Sequence, residues 1–189
     1  MENNRNFKNE LILFGNLKVM VCCALLVAIS IVCGKLLAFN VGTVLRFSLE
    51  NMPIILASVA FGPLIGGVTA VVADLIGCLI VGYEVNPLVT LGAFCIGVVS
   101  GAVYRILGKA SGRVKTVVSV SSAHLVGSVI IKTFGLSRFY DMPFEILLLW
   151  RALNYLIIGA LEVIIIHYLL KSRSVTDQLE RIKQNRGQK

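Results

Sequence analysis

Charged positions are widely spaced along this 189-residue chain. No Asp, Glu, Lys or Arg falls in residues 19–34, 51–73, 85–104 or 116–131. Each run is near or above the length that crosses a ~30 Å hydrocarbon core as a helix. One such run suits the buried helix of a soluble domain; several in series suit only lipid. The pattern predicts an all-α integral membrane bundle of six transmembrane helices. Turn residues divide the runs: helix 1 over 17–38, helix 2 over 48–61, helix 3 from Pro63 to Gly82, helix 4 from Pro87 to Leu107. Helix 5 follows over 116–134 and helix 6 over 144–168. Phe61-Gly62-Pro63 reads as a tight turn, with Pro at the first turn of the next helix. Residues 39–47, 83–86 and 135–143 read as loops at one membrane face, and 108–115 as a loop at the other.

Composition supports lipid: 57% hydrophobic and 15% charged is too apolar for a water-facing surface. Arg5, Lys8 and Lys18 precede the first apolar run as in a signal peptide, but no small-x-small cleavage site ends it, and Val21 before Cys22 is a poor lipobox. The run is therefore expected to stay as helix 1.

The net charge of +8 raises nucleic acid as a partner, but placement argues otherwise. Thirteen of the 18 Lys and Arg lie before residue 19, in 105–115, or from Lys171 onward. The positive-inside rule puts those three stretches on the cytoplasmic side, so both termini are expected there and no nucleic acid is needed. The expected organisation is a cytoplasmic segment 1–16, a transmembrane domain 17–171 and a basic cytoplasmic tail 172–189. Val175, Leu179 and Ile182 allow that tail a short amphipathic surface helix.

The five cysteines (Cys22, Cys23, Cys33, Cys78, Cys95) lie in apolar runs without C-x-x-C spacing and read as packing residues, so no metal site is expected. Small residues four apart recur at Ala24 and Ala28, Gly62 and Gly66, and Ala93, Gly97 and Gly101. They allow close helix approach, either within the bundle or against a partner.

Ionisable groups inside spanning segments are costly and normally face a cavity, a partner or a substrate. Asp74 is the only charge of helix 3, and either pairs within the bundle or touches a ligand. Helix 5 carries Ser121, His124, Ser128 and Lys132 on or near one face. Lys132 either snorkels to the interface or meets a ligand, whereas His124 lies too deep to snorkel. Helix 6 presents Arg151, Tyr155, Ile158 and Glu162 on one stripe with Asn154 beside it. Glu162 is expected to pair within the bundle. With Asn86 and Thr90, the outer members of these sets are placed to converge on an outward-opening pocket. The chain has no phosphate loop, no H-E-x-x-H and no G-x-S-x-G turn, so it carries no evident catalytic set or ATP site.

Met52-Pro53, Phe61-Gly62-Pro63, Gly66, Asp74, Gly77, Asn86-Pro87 and the Arg105-bearing loop resemble the S components of energy-coupling factor vitamin transporters. Helices 2 to 4 look most like the folate-specific members. The resemblance implies a bacterial plasma-membrane protein that captures folate at its outer face without a cofactor. It further implies inward delivery with a transmembrane coupling subunit and two ABC-type ATPases, which hydrolyse the ATP. It assigns partner docking to Ala24 and Ala28, and a gate to residues 39–47, including Arg46. Arg46, Lys132 and Arg151 become candidates for the folate carboxylates, and Tyr155 for stacking on the pterin. Asp74, Asn86, His124 and Asn154 complete the candidate set. The rival readings are an S component for pantothenate, riboflavin or a queuosine precursor, an intramembrane enzyme using Asp74 or His124, and a stand-alone carrier.

Overall fold

The computed structural model describes residues 10–41, 45–141 and 143–184. Among them the chain is nearly all helical: α1 spans Leu17–Leu36, α2 Asn51–Phe61, α3 Pro63–Val81 and α4 Pro87–Ile106. The fifth helix, α5, is continuous in three parts. Gly112–Ala123 is α-helical, His124–Ile131 π-helical and Lys132–Tyr140 α-helical again. Phe144–Lys171 forms α6 and Arg173–Gln184 forms α7. Five of these helices, α1 and α3 to α6, are long and apolar enough to cross a membrane.

The remaining core helix, α2, departs from expectation. At 11 residues it reaches only about 17 Å, roughly half a hydrocarbon core. It starts at Asn51 rather than Ser48 because 39–41 and 45–47 pair as a small antiparallel hairpin, with Phe39 opposite Phe47. These two strands are the exception to an otherwise all-α fold. A short α2 is workable because it runs down the middle, packed on α1, α3, α4 and α6. Only its protein-facing surroundings matter there, and Ile54, Ile55, Ala57, Ala60 and Phe61 are buried.

Two other boundaries shift. The stretch 135–140, expected as loop, continues α5. The helix also begins at Gly112, four residues early, because the Ser111 side chain accepts from the Val114 N–H as its cap.

Small residues set the spacing of the centre. A Cβ on Gly97 would collide with the Gly66 carbonyl, and the Ser58 hydroxyl donates to the Gly97 carbonyl. Thus α2, α3 and α4 touch backbone to backbone, and the spacing of Gly66, Gly97 and Gly101 serves internal packing.

The Gly62 turn, at φ 123°, marks one end of the bundle. The buried Glu10 carboxylate accepts from the Leu64 N–H at 2.9 Å, in the first turn of α3, and pairs with Arg105. The amphipathic α7 lies at this same end. Its Leu179 and Ile182 pack beside Leu13 and Phe14 on the cluster of Val19, Cys23, Ala60, Phe61 and Ile65. The Asn16 side chain donates to the Ile182 carbonyl at 2.9 Å, which joins the two described ends of the chain.

Candidate functional site

A cavity of about 280 Å³ opens at the opposite end, beside the hairpin. Most elements of the fold contribute to its wall. The π-helical last turn of α1 delivers Lys35, and the residues between hairpin and α2 deliver Ser48 and Glu50. Asp74 comes from α3, while Tyr83, Glu84 and Asn86 come from the loop after it. Lys132 is supplied by α5, and Arg151, Asn154 and Tyr155 by α6. The lining therefore holds three cations (Lys35, Lys132, Arg151) and three carboxylates (Glu50, Asp74, Glu84). A site with both signs at membrane depth suits a polar, charged ligand better than a lipid tail.

Several of these side chains are held by neighbours. Asp74 Oδ2 accepts from the Thr90 hydroxyl at 2.7 Å, which ties α3 to α4. Lys132, 5% exposed, has its Nζ 3.8 Å from Glu50 Oε1, so it is sequestered in the bundle rather than snorkelling. Arg151 donates from Nε at 3.2 Å and from a terminal nitrogen at 3.1 Å to the Ser128 carbonyl. Its guanidinium carbon lies 5.3 Å from the centre of the Tyr155 ring. The fork fixes the guanidinium plane at the cavity wall. Lys35 Nζ lies 5.4 Å from the centre of the Tyr83 ring.

Asn86 has a structural task. Its Oδ1 accepts from the Leu88 N–H at 3.0 Å, capping α4, and its Nδ2 donates to the Gly135 carbonyl at 3.1 Å. The extension of α5 past residue 134 makes that second bond possible.

The structure thus brings Asp74, Asn86, Lys132, Arg151, Asn154 and Tyr155 to one cavity. It does not bring His124 there. His124 is 3% exposed and sits behind Tyr155, ring centres 4.8 Å apart and stacked at 26°. Its Nδ1 hydrogen-bonds with Ser128 Oγ at 3.1 Å, and its Nε2 lies 2.6 Å from Glu162 Oε2. It belongs to a support layer under the cavity, and Glu162 pairs within the bundle. Arg46 lies in the second strand, opposite Asn40, but its side chain falls outside the described residues. Residues 42–44 of the expected gate fall outside them too. Ala24 and Ala28 are exposed one turn apart on the outside of α1, far along the helix from Lys35.

Lys35, Ser48, Glu50, Tyr83 and Glu84 are cavity residues that sequence reasoning passed over as site members. Lys35 and Glu50 flank apolar runs, near the ends of the expected helices 1 and 2. The signal that finds them is charge balance, because Lys132 and Arg151 inside a membrane call for nearby carboxylates.

Among the described residues the chain is a nearly all-helical bundle with membrane-length helices and a charged cavity at one end, an arrangement suited to binding a polar ligand. Residues 18–170 match the family described as ECF transporter, substrate-specific component, and the chain belongs to that family. It is a multi-pass protein of the bacterial plasma membrane. The family is a transporter component and not an enzyme class. Among solved structures, the crystal structure of FolT bound with folic acid is similar. The two share 24% identity at a TM-score of 0.69, over 85% of this chain and 97% of that one. At that identity the likeness is one of fold. No curated protein sequence matches significantly.

Proposed function

We propose that this chain captures folate at the outer face of the membrane and hands it inward with an ATP-driven energy-coupling module. The observation that carries the reading is the cavity at the hairpin end, whose cations and carboxylates match the two ends of folate. The glutamate carboxylates of folate call for cations, and Lys132 and Arg151 supply them, with Arg46 of the hairpin as a further candidate. Its pterin presents an N–H and an amino group side by side, a donor pair that a carboxylate such as Asp74 accepts. The flat ring system stacks on Tyr155, whose other face rests on His124. Asn154 lies beside this ring, and Asn86 positions the wall instead of touching ligand.

In this reading the hairpin end faces outward. Both termini are cytoplasmic, so the cluster of Arg105, Lys109, Arg113 and Lys115 and the tail share the inner side, as the positive-inside rule asks. The exposed Ala24 and Ala28 face offers close backbone approach to a transmembrane coupling subunit. Two ABC-type ATPases supply the energy that this chain has no phosphate loop to use.

Purification from a host that makes folate, followed by mass spectrometry of co-bound small molecules, tests the reading. Folate or a reduced folate in stoichiometric amount supports it. A different vitamin in that amount replaces it with an S component of other specificity.

A further inference from the structure

Neither His124, Ser128 nor Glu162 lines the cavity, yet together they join two side chains of α6 that do, Arg151 and Tyr155. Glu162 Oε2 lies 2.6 Å from His124 Nε2, and an ionised carboxylate only accepts, so that nitrogen carries a proton. The other ring nitrogen, Nδ1, is 3.1 Å from Ser128 Oγ. Ser128 is used twice, because its carbonyl also takes the Arg151 fork at 3.1 and 3.2 Å. A terminal nitrogen of the same guanidinium reaches Tyr155 Oη at 3.4 Å, and the Tyr155 ring lies back on His124 with ring centres 4.8 Å apart. The contacts close a ring that runs from His124 through Ser128, Arg151 and Tyr155 to His124 again, with Glu162 anchoring the imidazole. His124 and Ser128 sit in the π-helical part of α5, a distortion frequent at functional sites. Stability does not account for the pair of His124 and Glu162. Glu162 is fully buried with Oε1 unpartnered among the described residues, and apolar side chains of similar volume often hold such a seam as firmly.

We propose that His124 is a positioning residue for the ligand: without touching it, the imidazole fixes Arg151 and Tyr155 relative to each other, so that the anchors for the two ends of the ligand stand in register. The inference rests on the folate reading and deepens it. A molecule that engages one anchor tolerates a small displacement of the other. Folate must reach both, so it gains from anchors that are held in place before it arrives. His124 thereby favours ligands that carry a flat ring and a carboxylate at one fixed separation.

The test combines His124→Leu with Glu162→Leu, so that no buried charge is stranded. The protein is titrated with folate, with 6-methylpterin, which carries the ring end alone, and with p-aminobenzoylglutamate, which carries the carboxylate end alone. The leucine pair weakens folate by at least about tenfold and each fragment by less than about threefold. His124→Phe with Glu162→Leu keeps a ring behind Tyr155, gives an intermediate loss, and serves if the leucine pair folds poorly. Unchanged folate affinity overturns the proposal, since the pair is then packing alone. Equal weakening of all three ligands, the mark of a collapsed pocket, overturns it too. Fluorine NMR of the ligand-free protein labelled with 3-fluorotyrosine, its Tyr155 line assigned by Tyr155→Phe, reads the positioning itself. That line is narrow in the unmodified protein and broad or split in the leucine pair; equal widths overturn the proposal. The same line decides where a fragment binds too weakly to titrate. Failure of the unmodified protein to bind folate overturns the folate reading, while the fluorine line still decides whether His124 holds the ring in place.

Discussion

His124 and Glu162 meet with Nε2 and Oε2 2.6 Å apart, both nearly inaccessible, at the packed seam of α5 and α6. The pair stands directly behind Tyr155, the ring at the cavity wall. Because the partners are buried together, removing one strands the other. Glu162→Ala should cost about 3–5 kcal/mol, while His124→Leu with Glu162→Leu should cost less, since no buried ionisable group is then stranded and the loss is confined to the Ser128 hydroxyl's bond to the imidazole. Melting of the purified variants in detergent checks this, and a single variant as stable as the double contradicts it.

Arg151 is held by its fork on the Ser128 carbonyl and by its place over the Tyr155 ring. Arg151→Ala should weaken folate binding by about 10–100-fold, the range of a lost charge-assisted pair. Arg151→Lys should recover little, because an ammonium cannot make the same planar fork. Binding constants of the three proteins decide it, and full rescue by lysine would show that charge alone matters.

The six-helix plan was legible because charges are excluded from hydrocarbon, and their gaps at 51–73 and 85–104 follow directly from that. Pro63 and Pro87 marked helix starts for the same kind of local reason. Hydropathy does not report which carbonyl an amide reaches, so the π-helical stretch 124–131 left no trace in it. The pairing of 39–41 with 45–47 was missed because it lies in a segment that reads as loop. Within the site, Arg151, Tyr155 and Lys132 announced themselves as polar groups in apolar runs. Lys35 and Glu50 did not, because a charge at the edge of a run looks like an interface anchor until the fold turns it inward. His124 was placed on the correct helix, but distance from the membrane centre does not reveal which layer of a site a ring occupies.

Gly97 faces the Gly66 backbone so closely that even one methyl group must push α3 and α4 apart. Gly97→Ala should lower stability by about 1–3 kcal/mol, and Gly97→Val by more. Gly112, whose Cβ would meet nothing within 4 Å, should accept alanine without loss. Paired thermal melts compare the two sites.

Docking of α7 should depend on pH through Lys183. Burial pushes its amine below the usual 10.5, with Glu180 opposing the shift and Arg105 adding to it. The undocked tail then holds more protons than the docked one between the lowered value and 10.5, so docking strengthens as pH rises through that window. A spin label at Gln178, in a cysteine-free background, should lose mobility on going alkaline, and Lys183→Met should abolish the change.

The central claim is that the cavity at the hairpin end holds folate, with Arg151 in its wall. Calorimetric titration of the detergent-purified protein with folate measures this directly. The account predicts saturable binding of one folate per chain, strongly weakened by Arg151→Ala. Absence of binding to the unmodified protein, or binding indifferent to Arg151, contradicts it.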